Sequence, residues 1–117
     1  MLKQQFRCKA RRWVWLSAAA VCLLASGAHA EPDAARKEEL RYLLEQDCGS
    51  CHGLTRKGGL GSPLLPENLA DSSDEALLEV ILEGIPGTPM PPWKYLMSRE
   101  DAVWLVKLIR KGIDHDG

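Results

Sequence analysis

The sequence predicts an all-α fold of three main helices, and its hydrophobic spacing carries the prediction. Apolar side chains recur at helical intervals in three stretches, residues 33–47, 72–84 and 98–113. The segments between them are rich in Gly and Pro and read as loops. No segment alternates with a strand's period of two, and there is no internal repeat or low-complexity tract. The 117 residues hold one small domain and little else. A domain of this size buries a modest core and commonly needs a staple of disulfides, metal or cofactor.

The leader is not part of that domain. Five basic residues (Lys3, Arg7, Lys9, Arg11, Arg12) come first, an uncharged run from Trp13 to Ala28 follows, and Ala28-His29-Ala30 offers small residues at a cleavage site. Residues 1–30 therefore read as a Sec-type signal peptide and residues 31–117 as the mature domain. The apolar run is shorter than the roughly 20 residues a spanning helix prefers, so a membrane attachment would exist only through an uncleaved leader. Every acidic residue lies at or after Glu31, so the formal charge of −1 for the whole chain hides a mature domain of charge −6. That balance excludes a basic nucleic-acid binder, and export of such a chain points to a bacterial periplasm. Two of the four Cys, Cys8 and Cys22, leave with the leader.

The first helix, residues 33–47, places Leu40, Leu43, Leu44 and Cys48 at i, i+3, i+4 and i+8. Residues 53–71 form a loop with a short helical turn near Pro66-Glu67-Asn68. Ser72 or Ser73 caps the second helix, Asp74 and Glu75 suit its first turn, and Leu77, Val80, Ile81 and Gly84 make one face. Gly84 ends it, and four prolines between Ile85 and Trp93 pre-set the next loop. Ser98 caps the last helix with Asp101 three residues on, and Met97 staples against Ala102. Ala102, Leu105, Val106, Ile109 and Ile113 make its buried stripe, with Trp104 and Leu108 as a second one.

Cys48-Gly49-Ser50-Cys51-His52 is a C-x-x-C-H motif, the covalent attachment signal of haem c. Two thiols one helical turn apart reach two vinyl groups on one porphyrin edge, and the adjoining imidazole is placed for the iron. Three other readings compete. A thioredoxin-like pair needs a strand–helix context and leaves His52 unexplained. A zinc site needs four ligands, and the mature chain offers Cys48, Cys51, His52 and the tail residue His115. A plain disulfide suits an oxidising compartment. Haem accounts for all three motif residues in an all-helical exported domain. The remaining candidates for the second axial position are Met90, Met97 and His115. Met90 stands in the stiff proline loop and has a soft thioether; Met97 is better used as a helix staple and His115 as a solvated tail residue.

Three stretches together carry a resemblance: Cys48 to Thr55, Lys57-Gly58-Gly59-Leu60-Gly61, and Leu82 to Trp93 with Gly87-Thr88-Pro89-Met90-Pro91-Pro92-Trp93 at its end. Residues 33–113 resemble the class I cytochromes c, and within them the NirC group, small periplasmic cytochromes encoded with the cytochrome cd nitrite reductase of denitrifying bacteria. The resemblance implies the cytochrome c fold, three main helices around one covalently bound haem. It implies Cys48 and Cys51 as thioether links, His52 as proximal ligand and Met90 as distal ligand. It assigns Pro63 the carbonyl that accepts the His52 N–H, although Ser62 stands between Gly61 and Pro63 where the class often has Gly-Pro. It offers Arg56 and Trp93 to the haem propionates, against a solvated Arg and a packed aromatic. It implies a monomeric electron carrier rather than an enzyme, with redox partners such as a periplasmic nitrite reductase, in electron supply or in maturation of its d-type haem. The alternatives are a small peroxidase-like haem enzyme, which needs Met90 to leave the iron, and a non-redox maturation factor.

Overall fold

A computed structural model describes residues 30–112. The leader before Ala30, Ile113 of the expected stripe and His115 lie outside the described residues. Helix α1 (Ala34–Leu43) begins at Asp33, whose carboxylate accepts the Arg36 N–H at 2.8 Å. Such a cap contributes about 1 kcal/mol by satisfying an end donor. A π-helical turn, Leu44–Cys48, then runs directly into the short helix α2 (Gly49–His52). The wide turn shifts the register by one residue. Leu40 and Leu44 stay in the core, while Cys48, Cys51 and His52 line a cavity.

After the Gly-rich loop, a single 3₁₀ turn, Pro66–Leu69, buries Leu69. Helix α3 (Asp74–Glu83) starts at Ser73, which accepts from the Ala76 N–H, and ends at Gly84. Its buried residue is Leu78, which the face expected from the sequence omits. That face, Leu77, Val80 and Ile81, is apolar because it lines the cavity, and Leu77 and Ile81 also pack against the core.

Helix α4 (Arg99–Lys111) opens with a complete capping box: Asp101 N–H donates to Ser98 Oγ at 3.1 Å, and Ser98 N–H donates to Asp101 Oδ2 at 3.0 Å. It packs on both α1 and α3. Ala102, Leu105, Val106 and Ile109 form the buried stripe as expected, and the Met97 side chain is buried with them. Trp104 turns its ring toward α1, where Arg41 lies 5.1 Å and Lys37 5.9 Å from the centroid. Among the described residues there is no strand.

One ion pair locks α1 to the start of α4. Arg36 donates from Nε at 3.1 Å and from a terminal nitrogen at 2.9 Å to Asp101 Oδ2, and the same fork reaches the Leu96 carbonyl. Burial works against the Asp101 charge, but hydrogen bonds from Arg36 and the Ser98 backbone outweigh it and hold the carboxyl below the usual aspartate range. A native pKa below the unfolded value of about 3.9 gives stability that is complete above that value and lost as pH falls through the native one. Asp101→Asn is expected to cost about 1–2 kcal/mol at neutral pH, and the deficit should shrink below about pH 4. Urea denaturation of both proteins at neutral pH and in acid checks this; a pH-independent deficit would contradict it.

Candidate functional site

Cys48, Cys51, His52, Pro63, Met90, Trp93 and Met97, all picked from the sequence, line one cavity of about 420 Å³. Its floor carries Cys48, Cys51 and His52 from the α1–α2 corner. Leu77, Val80 and Ile81 of α3 and Leu105, Val106 and Ile109 of α4 supply apolar walls. Met90 and Trp93 enter from the proline loop, and Met97 from the turn before α4. Cys48 and Cys51 are both free thiols. Burial, reinforced by the nearby Asp47 charge, pushes the Cys48 thiol up to about 11.

The loop after α2 folds back to hold His52. Its Nδ1 lies 2.6 Å from the Ser62 carbonyl oxygen. A carbonyl only accepts, so Nδ1 carries a proton; in the neutral imidazole that tautomer leaves the Nε2 lone pair for a metal. The acceptor is therefore Ser62 and not Pro63. The reason is local: a residue before proline is held extended, and the Ser62 carbonyl belongs to the Ser62–Pro63 peptide. Pro63 itself lines the cavity and packs its ring near Gly58. Gly61 lies flat under the imidazole; a Cβ there would sit 2.7 Å from His52 Cε1 and Nδ1.

Met90 is presented by the return of its loop onto the end of α3. Ile85 N–H donates to the Met90 carbonyl at 3.2 Å, and Trp93 N–H donates to the Ile81 carbonyl at 3.1 Å. Gly84 makes the close approach possible with φ +69, because a Cβ would meet the Met90 oxygen and the Pro91 carbonyl carbon at 2.7 Å each.

The two other residues the sequence offered divide. Trp93 lines the cavity, and its Nε1 is buried without a hydrogen-bond partner. A buried orphan donor is costly, and a carboxylate of a bound group would satisfy it. Arg56 is buried, with φ +59, in the loop beside His52 and is not on the cavity wall. Its backbone oxygen accepts the Leu64 N–H. Sequence reasoning missed Ser62, Gly61 and Thr88, which hold the candidate ligands rather than resemble them. Among the described residues no group of three or more His, Cys, Asp or Glu side chains gathers as a metal cluster. Thiols in haem-attachment spacing, an imidazole held through its Nδ1, a thioether, apolar walls and an unpaired indole donor fit a covalently held haem.

The family model described as cytochrome c oxidase, cbb3-type, subunit III, matches residues 35–109. The chain belongs to this family of c-type cytochromes. The cytochrome is 49% identical over 109 residues to cytochrome c55X of Pseudomonas aeruginosa, a match covering 92% of each chain. A solved c-type cytochrome NirC is 54% identical, with a TM-score of 0.69, over 70% of this chain and 96% of that one. The dihydro-haem d1 dehydrogenase NirN, solved in complex with DHE, is similar to it at 34% identity and a TM-score of 0.59, over 66% of this chain but only 17% of NirN. With one C-x-x-C-H motif, the cytochrome is a monohaem protein whose cofactor is haem c. The expected all-α cytochrome c fold, with three main helices, is the fold observed.

Proposed function

We propose that this cytochrome is a periplasmic electron carrier, exported by residues 1–30 and active as residues 31–117. The observation that carries the reading is the sharing of one apolar cavity by Cys48, Cys51, His52 and Met90. Haem c supplies a one-electron iron couple when bound. Cys48 and Cys51 hold the group by thioether bonds. His52, oriented by the Ser62 carbonyl, and Met90, fixed in its proline loop, are the residues that would ligate the iron. With both axial positions filled, no position is left for a substrate, so the role is outer-sphere transfer and not bond chemistry; Met/His ligation also raises the reduction potential. Trp93 Nε1 would give a hydrogen bond to a propionate. Leu60, Val80 and Ile85 line the cavity yet are exposed, and a partner docks transiently at that exposed edge.

The partner proposed is a periplasmic cytochrome cd nitrite reductase of denitrification, a reading supported by the likeness to NirC. An acidic domain favours a basic docking face on that partner and a rate that falls with salt. Stopped-flow mixing of the reduced cytochrome with oxidised reductase tests this. Transfer that slows with ionic strength is expected, and no transfer at any ionic strength overturns it. A second reading, redox service in maturation of the d-type haem, is favoured by the likeness to part of NirN.

The weak far-red band of ferric iron–thioether bonding in the resting protein separates the carrier from the peroxidase-like alternative, and Met90→Ala separates it from the non-redox one. The variant is expected to lose the weak far-red band of ferric iron–thioether bonding and to fail as a donor. Retention of normal electron supply or of that band would refute Met90 as the ligand.

A further inference from the structure

We infer that Thr88 is a positioning residue for the Met90 thioether, through a hydrogen-bonded ring its hydroxyl closes. This rests on the proposed ligation by Met90. Residues 89–92 contain three prolines, Pro89, Pro91 and Pro92, none of which has an N–H. Met90 therefore carries the one backbone donor of that stretch, and it donates to Thr88 Oγ1 at 3.3 Å. The same hydroxyl donates its own proton to the Ile85 carbonyl at 2.7 Å. Ile85 N–H returns to the Met90 carbonyl at 3.2 Å, so both backbone groups of Met90 are tied to Ile85, one directly and one through Thr88. Thr88 and Met90 both line the cavity. The prolines stiffen the loop, and Pro91 also keeps the Met90 backbone out of the helical region, but rotation within the extended region stays open. The Thr88 hydroxyl, together with the Ile85 N–H, narrows that remaining freedom.

Removing that hydroxyl raises the population in which Met90 is off the iron, and an external ligand reads that population directly, because its apparent affinity scales with the competent fraction. In the ferric holoprotein, Thr88→Val is expected to bind imidazole about tenfold more tightly than wild type, the scale of one or two lost hydrogen bonds, and to show a weakened far-red iron–thioether band. Thr88→Ser keeps the hydroxyl and is expected to restore both. Imidazole affinity in Thr88→Val equal to wild type, or a Thr88→Ser protein that behaves like Thr88→Val, overturns the inference. Met90→Ala, measured alongside, tells the two failures apart. If it keeps the band, Met90 is not the ligand and the inference falls with that reading. If it loses the band while Thr88→Val matches wild type, only the role of Thr88 falls.

Discussion

Gly84→Ala is expected to destabilise the protein by about 3 kcal/mol or more and to displace the Met90 loop. Two costs add. Gly84 has φ +69 and ψ −171, a backbone region that is almost glycine's alone and that costs an L-residue about 1–3 kcal/mol. The new Cβ would also meet backbone atoms, the Met90 oxygen and the Pro91 carbonyl carbon at 2.7 Å and the Pro92 nitrogen at 2.8 Å. No rotamer change relieves a collision with backbone, and overpacking of this kind costs about 1–3 kcal/mol more. For a domain of this size the total corresponds to a Tm lower by roughly 15 °C. The collision falls on the Met90 carbonyl, so the far-red iron–thioether band should weaken even at temperatures where the variant is folded. Gly87→Ala is the internal control. Gly87 also has positive φ, +78, but a Cβ there meets nothing within 4 Å. It should cost about 1–2 kcal/mol from backbone strain alone and leave the band intact. Thermal unfolding with absorption spectra of both variants decides the matter, and equal effects at the two glycines would contradict it.

The contrast between those glycines shows which parts of this fold the sequence could carry. Cys48, Cys51, His52 and Met90 were legible because their chemistry resides in residue type and their relation is either local or fixed by prolines. The Ser98–Asp101 box and the end of α3 at Gly84 were legible for the same reason, since capping acts within four residues. The carbonyl that orients His52 was not. Any residue offers a carbonyl, and the choice of Ser62 over Pro63 follows from the extended geometry that Pro63 imposes on its neighbour. The apolar face of α3 was found, but periodicity marks a face without saying what it meets. Leu77, Val80 and Ile81 line the cavity, Leu77 and Ile81 also pack on the core, and Leu78 is buried in it. The π-helical turn at Leu44–Cys48 is a change of hydrogen-bond register and leaves no mark in hydrophobic spacing. The lock between Arg36 and Asp101 joins residues 65 apart, beyond what spacing can show.

Gly61→Ala is expected to act at the imidazole proposed as proximal ligand. A Cβ on Gly61 would lie 2.7 Å from His52 Cε1 and Nδ1 and 3.1 Å from Nε2, against the face of the ring. The ring is not free to retreat. Its Nδ1 is tied at 2.6 Å to Ser62, the residue next to Gly61, so the clash and the restraint come from one strand of loop. That strand is fixed in turn, because Gly61 N–H donates to the Cys51 carbonyl at 2.9 Å. Either the loop lifts and lengthens the Nδ1–Ser62 bond, or the imidazole tilts; both cost about 1–3 kcal/mol as overpacking. A lengthened bond also makes the imidazole less basic toward a metal. The expected result is a lower denaturation midpoint together with faster solvent exchange of the His52 ring N–H, read by proton NMR of the reduced holoprotein. Gly61 has no positive φ, so a loss of stability with the ring proton still protected would place the cost elsewhere in the loop and refute this account of the glycine.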